Sequence, residues 1–173
     1  ELLSRKEIET SPHKKAQAYA EAGLNYSFAG EKERADSLLQ ISIEICKKIN
    51  KKVDLSNAYN FWAIHNHNLD NDSLAVQMYT QAIKTAQEIN DTVMMLKPYR
   101  GFTGLLFKMG LLDKGIEYAE SGLKLARKIG DKKLISSLAN NTAVGYHKKK
   151  DYKKAMVYMK ESLKITTEIG LTE

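Results

Sequence analysis

Ile49, Ile89, Ile129 and Ile169 stand forty residues apart, and the text around each is related to the text around the others. A repeat of this length constrains the fold more than any local signal. Each unit must be one supersecondary element that buries its apolar face only against its neighbours. In register, Ala35, Ala75, Gly115 and Ala155 form one small-residue column, and Ser42, Ala82, Gly122 and Ser162 form another. Between them run large apolar columns: Leu38, Met78, Tyr118 and Tyr158, then Ile43, Ile83, Leu123 and Leu163. Small residues let two helix backbones approach and large neighbours fill the remaining volume, so each column marks one recurring helix–helix contact.

Every unit divides into two helical segments. The first ends near Gly30, Asp70, Gly110 or Lys150, and the second near Asn50, Asn90, Gly130 or Gly170. Gly and Asn at those points suit a left-handed C-terminal cap. Ser11 followed by Pro12 reads as a cap and a first helical position. The expected helices cover 12–29, 31–49, 54–69, 72–89, 112–129, 132–149 and 152–169, and no run has the alternation of a strand. Pro98 falls inside the remaining helix, where it deletes a hydrogen bond, so that helix is expected to kink or start late, with 92–97 as a separate turn. Leu2, Leu3 and Ile8 have helical spacing and read as the remnant of an upstream helix.

The chain of 173 residues is 43% hydrophobic with 2 Pro and 10 Gly, a composition that argues for one ordered domain spanning 1–173. Its repeats fall at about 12–50, 54–90, 92–130 and 132–170. No apolar run approaches the ~18 residues of a membrane span, so membrane insertion is not expected of this segment. The chain begins at Glu1 without a charged-then-apolar leader, as in a trimmed or mature product, so compartment stays open between cytoplasmic and extracytoplasmic. The lone Cys46 shares a column with Ala86, Ala126 and Thr166, which reads as a small buried residue. The net charge of +6 lies in clusters at helix C-termini, such as Lys47 with Lys48 and Arg127 with Lys128. Cations there complement the helix dipole, and nucleic-acid binding is disfavoured.

These units resemble tetratricopeptide repeats, whose signature spaces large and small residues along the first helix and an Ala and an aromatic along the second. Those positions hold Tyr19, Ala22, Gly23, Tyr26, Ala35 and Leu39, then Tyr59, Trp62, Ala63, Asn66, Ala75 and Tyr79. The third unit gives Tyr99, Phe102, Thr103, Leu106, Gly115 and Ala119, and the fourth Ala139, Thr142, Ala143, Tyr146, Ala155 and Met159. The usual period is about 34 residues, so the chain is similar to the longer forty-residue variants found in bacterial peptide-responsive regulators, spindle-orientation adaptors and bacterial sensor regions. The resemblance implies an all-α, right-handed α-solenoid of four helix-turn-helix repeats that is not an enzyme. It implies binding of an extended peptide or protein segment in a concave groove lined by the first helix of each pair.

No phosphate loop, dinucleotide fingerprint, CxxC pair or nucleophile–base–orienter set is present, so neither catalysis nor a cofactor is expected. His65 and His67 lie two apart on a helix and point about 200° apart, which does not make a metal site. If Tyr59, Trp62 and Ala63 face the partner helix, Asn60, Ile64 and His67 share a stripe turned from that seam. Across units the stripe adds Arg100, Asn140, Val144, Phe107 and His147 as candidate groove residues. Asn amides suit peptide backbone, Arg100 suits a carboxylate, and Ile64, Val144 and Phe107 suit apolar pockets. The related clamp for C-terminal carboxylates fits poorly, because Ala20 and Leu24 stand where its polar residues belong. A sensor or dimerisation region of a larger bacterial signalling protein is the alternative. Met156, Tyr158 and Met159 on the last helix are expected to leave apolar surface uncovered, through which a homodimer would form.

Overall fold

The computed structural model describes residues 11–170, which form eight helices: α1 (Pro12–Phe28), α2 (Lys32–Lys48), α3 (Lys52–Asn68), α4 (Asp72–Glu88), α5 (Thr92–Lys108), α6 (Leu112–Ile129), α7 (Lys132–Lys148) and α8 (Tyr152–Glu168). The remnant helix expected from Leu2, Leu3 and Ile8 lies outside the described residues. The helix bounds agree with the sequence pattern to within two residues at each end, except in α5.

Chain reversal is set by the left-handed residues. Gly30, Gly110, Gly130 and Gly170 have positive φ, and so do Asn50, Asp70, Asn90 and Lys150. The amide of Lys51 donates to the Cys46 carbonyl at 3.0 Å and that of Asp151 to the Tyr146 carbonyl at 2.9 Å, closing the last turn in the Schellman manner. At the N-termini, Asp131 and Asp151 accept from the amides of Leu134 and Lys154. Ser11 is extended and precedes Pro12 as expected, but its hydroxyl makes no capping bond.

Pro98 does not delay α5, which runs unbroken from Thr92. Asp91 accepts from the Met94 amide at 2.9 Å and starts the helix there. The Pro98 ring is fully buried, as are its counterparts Ala58 and Leu138, so packing offsets the hydrogen bond lost at the imide.

Packing divides the chain into two compact units, one up to Met94 and one from Met95. In the first, Ala35, Leu39, Cys46, Ala75 and Tyr79 are fully buried, and Ala20, Ile43, Ala58, Tyr59 and Ala82 form a cluster. The small columns are where paired helices touch. Ser42 donates to the Ala16 carbonyl at 2.7 Å, and Ser56 donates to that of Ala82 at 2.8 Å.

In the second unit, one cluster gathers Leu96, Leu123, Ala126, Leu138 and Ala139, and another gathers Phe107, Ile116, Tyr146 and Ala155. Phe107 fits because two glycines make room for it. A Cβ on Gly115 or on Gly145 would come within 2.4 Å of its ring.

Candidate protein-interaction surfaces

The first unit presents α1 beside α3. Gln17 on α1 donates to Asp54 on α3 at 2.9 Å, and His13 Nδ1 lies 2.6 Å from the other oxygen of the same carboxylate. Beside them Glu21, Asn57 and Phe61 line a cleft of about 40 Å³, the size of one or two waters. Deeper in the same unit, Asp36 on α2 accepts from Trp62 Nε1 at 2.8 Å and lies 3.4 Å from Nε2 of the buried His65. The His65 Nδ1 meets the Ser27 hydroxyl at 2.9 Å. Trp62 is thus half-buried and anchored by its polar edge, a structural role.

Of the stripe residues in this unit, Asn60 is only 5% exposed and its Oδ1 has no hydrogen-bond partner. Ile64 and His67 are half-buried. Asn60 is therefore an interior side chain. The cleft between α1 and α3 is lined instead by Asn57 and Phe61, three positions before and one after it, which a helix turns to a different face.

In the second unit Arg100 on α5 and Asn140 on α7 are both exposed, and Arg100 makes no ion pair with any described residue. Phe107 is interior, for the packing reason given above. Val144 and His147 come together in a groove of about 540 Å³, completed by Lys148 on α7 and by Tyr152, Met156 and Met159 on α8. The His147 and Tyr152 rings meet edge to face at 5.5 Å. The uncovered surface expected on α8 is present at Met156 and Met159, joined by Val157 and Leu163. Tyr158 is not part of it, for its ring stacks on Tyr146 at 5.7 Å.

Two features were missed in the sequence. Glu120 accepts from both Tyr146 (2.7 Å) and Tyr158 (3.0 Å), which ties α6 to α7 and α8. Burial, then the Glu120 carboxylate, pushes both phenols above their ordinary range. The second is Asp36 as acceptor for Trp62. In the sequence only the aromatic donors twenty-six residues on point to either carboxylate.

The remaining chemistry is structural. Burial first, and then the charge of Asp54, push the Cys46 thiol up to about 11, which keeps it protonated. Among the described residues no group of three or more His, Cys, Asp or Glu is placed to hold a metal ion. Among the described residues no helix is long and apolar enough to cross a membrane. Many of the cations at helix ends are paired: Lys52 with Glu88, Arg127 with Glu161, Lys132 with Glu168 and Lys149 with Asp113. The Lys132 ammonium holds the Glu168 carboxyl below its usual range.

No protein-family model matches the sequence, and comparison with curated proteins gives no match. Solved structures do match. BtubC (BKLC) from P. vanneervenii superposes with a TM-score of 0.82 at 16% identity over 94% of this chain and 67% of that one. A signal transduction ATPase with numerous domains and a tetratricopeptide repeat sensor, from Pyrococcus horikoshii, gives 0.81 at 24% identity over 94% of this chain and 26% of that one. Aspartyl phosphate phosphatase F from Bacillus subtilis gives 0.86 at 12% identity over 93% of this chain and 42% of that one. The chain thus spans from about a quarter to two thirds of the length of these three structures. With forty-residue columns, helix pairs closed by left-handed residues and these superpositions together, the chain is an all-α array of tetratricopeptide-type repeats.

Proposed function

We propose that this chain is a non-enzymatic interaction scaffold that binds an extended segment of another protein on the surface of its first-of-pair helices. The observation that carries the reading is the exposure of Arg100 and Asn140 on α5 and α7. The first is a planar donor fork without an internal carboxylate partner, and the second is an amide suited to peptide backbone. Val144 beside them is half-buried and offers apolar contact. Asn60 and Phe107 take no part, being interior.

The test is selection of linear peptides from a random display library, followed by calorimetry. Selected peptides should carry an acidic side chain or use their terminal carboxylate, and Arg100→Ala should weaken them by about 1 to 3 kcal/mol. Asn60→Ala should leave the affinity unchanged. Peptides whose affinity ignores both Arg100→Ala and Asn140→Ala would remove this surface from the function.

A second reading, a sensor region of a larger signalling protein, is supported by the Pyrococcus structure, of whose chain the matched part is 26% and whose description includes a repeat sensor. It predicts that a bound peptide changes the activity of a domain joined to the array, which the scaffold reading does not require.

A further inference from the structure

Charge is distributed unequally among the helices of the second unit. Neither α5 nor α7 contains an Asp or Glu, whereas α6 and α8 hold Asp113, Glu117, Glu120, Glu161 and Glu168. Packing of Leu96 with Leu138 and Ala139, and of Phe107 on Gly145, sets α5 beside α7. On this pair Lys97, Arg100 and Lys108 of α5 are exposed, as are Lys133 and Lys148 of α7. At a turn of about 100° per residue, the three α5 cations and Gly104 fall within about 80° of the helix circumference. The matching positions of α1 and α3 are Gln17, Ala20, Phe28, Val53 and Asn68, none of them basic, and the cleft between those helices is lined by Glu21 and Asp54. A helix pair with these cations and no acid of its own attracts anions.

Gly104 lies among these cations, and the packing of the chain does not call for a glycine there. A Cβ on Gly23, Gly115, Gly122 or Gly145 would come within 3.3 Å of a side chain, and Gly30, Gly110, Gly130 and Gly170 have positive φ. At the exposed Gly104 a Cβ would meet nothing within 4 Å, and the repeat counterparts are Leu24, Ile64 and Val144. Glycine inside an exposed stretch of helix is less stable than alanine. What it provides instead is close approach to the α5 backbone from outside the chain. The helical rise sets Arg100 and Lys108 about 12 Å apart, with Gly104 midway. An extended chain covers about 13 Å in four residues, and only its alternate side chains face one way. Laid along α5, such a chain presents its residues i and i+4 to the two cations and its backbone at i+2 to Gly104.

We propose that the face shared by α5 and α7 takes an extended acidic segment of another polypeptide that runs along α5, with carboxylates four residues apart on Arg100 and Lys108 and its backbone against Gly104. Ser137 and Asn140 on α7 supply hydrogen bonds to the main chain. Cations spread over about three turns, from Lys97 to Lys108, suit a row of carboxylates better than one phosphate group. The inference rests on the peptide-binding reading above and adds to it the chemistry of the partner, its direction and the part played by Gly104.

The test is fluorescence anisotropy of the full chain with labelled decapeptides that alternate Asp with Ser or Asn with Ser, beside the peptides selected from the display library and a short oligothymidine. The Asp peptide should bind. Replacing its Asp by Asn should weaken binding by about ten-fold or more, and so should Arg100→Ala, with a smaller loss of about three-fold for Lys108→Ala. Gly104→Ala should weaken the Asp peptide by about ten-fold and at the same time raise the urea midpoint, a pairing of opposite signs that a glycine without a binding role does not give. Unchanged affinity in Gly104→Ala overturns the proposal, and so does equal affinity for the Asp and Asn peptides. In either case library peptides that still depend on Arg100 leave the scaffold reading standing. Oligothymidine bound more tightly than the Asp peptide overturns the proposal in favour of a nucleic-acid face. If neither the library nor the Asp peptide yields any binding, the scaffold reading and this inference fall together.

Discussion

The junction between helix pairs in the first unit and that in the second solve one geometrical problem with different chemistry. In the first, α3 meets its neighbours through Trp62 and His65, with Asp36 and Ser27 as partners. In the second, α7 meets them through Leu138, Gly145 and Tyr146, with Phe107, Ile116 and Leu123 as partners and Glu120 as a polar tie. Both have nearly the same helix lengths, seventeen residues except for α6 with eighteen, and the same small columns. The columns therefore specify how much space each position has, and leave open whether it is filled by hydrogen-bonded or apolar groups. A polar junction costs little while every group is satisfied and much once one partner is removed. An apolar junction fails by cavity.

The largest effect should come from emptying the apolar junction. Phe107→Ala leaves a hole that Gly115 and Gly145 cannot fill, and should lower stability by about 3 to 5 kcal/mol in urea denaturation followed by circular dichroism. A loss under 1 kcal/mol would mean that the second unit relaxes as freely as a polar one.

Next comes a pH dependence set by the one thiol of the first unit. The thiol of Cys46 is raised from 9.0 to about 11 in the folded chain. Above pH 9 the unfolded thiol ionises while the folded one keeps its proton. The stabilisation is therefore complete below pH 9 and is lost as pH rises towards 11. Relative to Cys46→Ala, wild type should lose about 2 to 3 kcal/mol over that interval. Parallel profiles of the two proteins would remove the effect.

Asp36→Ala should cost about 2 kcal/mol, because it strips Trp62 Nε1 of its acceptor inside a half-buried site. Trp62 is the single tryptophan, so its fluorescence reports the change directly. Asn60→Leu goes the other way. It replaces an amide whose Oδ1 is unpartnered, and a gain of about 1 kcal/mol is expected by the same denaturation assay. The smallest change is Lys150→Gly, which relieves a left-handed lysine and should add about 1 kcal/mol or less.

Most of the fold could be read from the columns, since buried positions recur every forty residues and each helix ends at a residue that tolerates positive φ. Even Lys150 was placed correctly by register, although its side chain argues against that conformation. The candidate surface was less legible. On a helix one residue is a turn of about 100°, so the choice between Asn60 and Phe61 rests on a single step. Phe107 followed a different rule. Its column holds Ser27, His67 and His147, all polar, yet Gly115 and Gly145 open a space only an aromatic fills. That signal was present in the sequence, but at positions eight and thirty-eight residues away.

Seven of the eight helices are seventeen residues long, and all but one of the connections between them are three residues. Connectors this brief contain no slack, so rotation about a helix axis has nowhere to dissipate. One amino acid inserted within α3 would swing the rest of that helix by about 100° and carry Trp62 and His65 away from Asp36. The same amino acid added at Asn50 or Gly110 would merely lengthen a bend. Evolutionary variation in length should accordingly gather at the bends, and the helices should change by substitution alone.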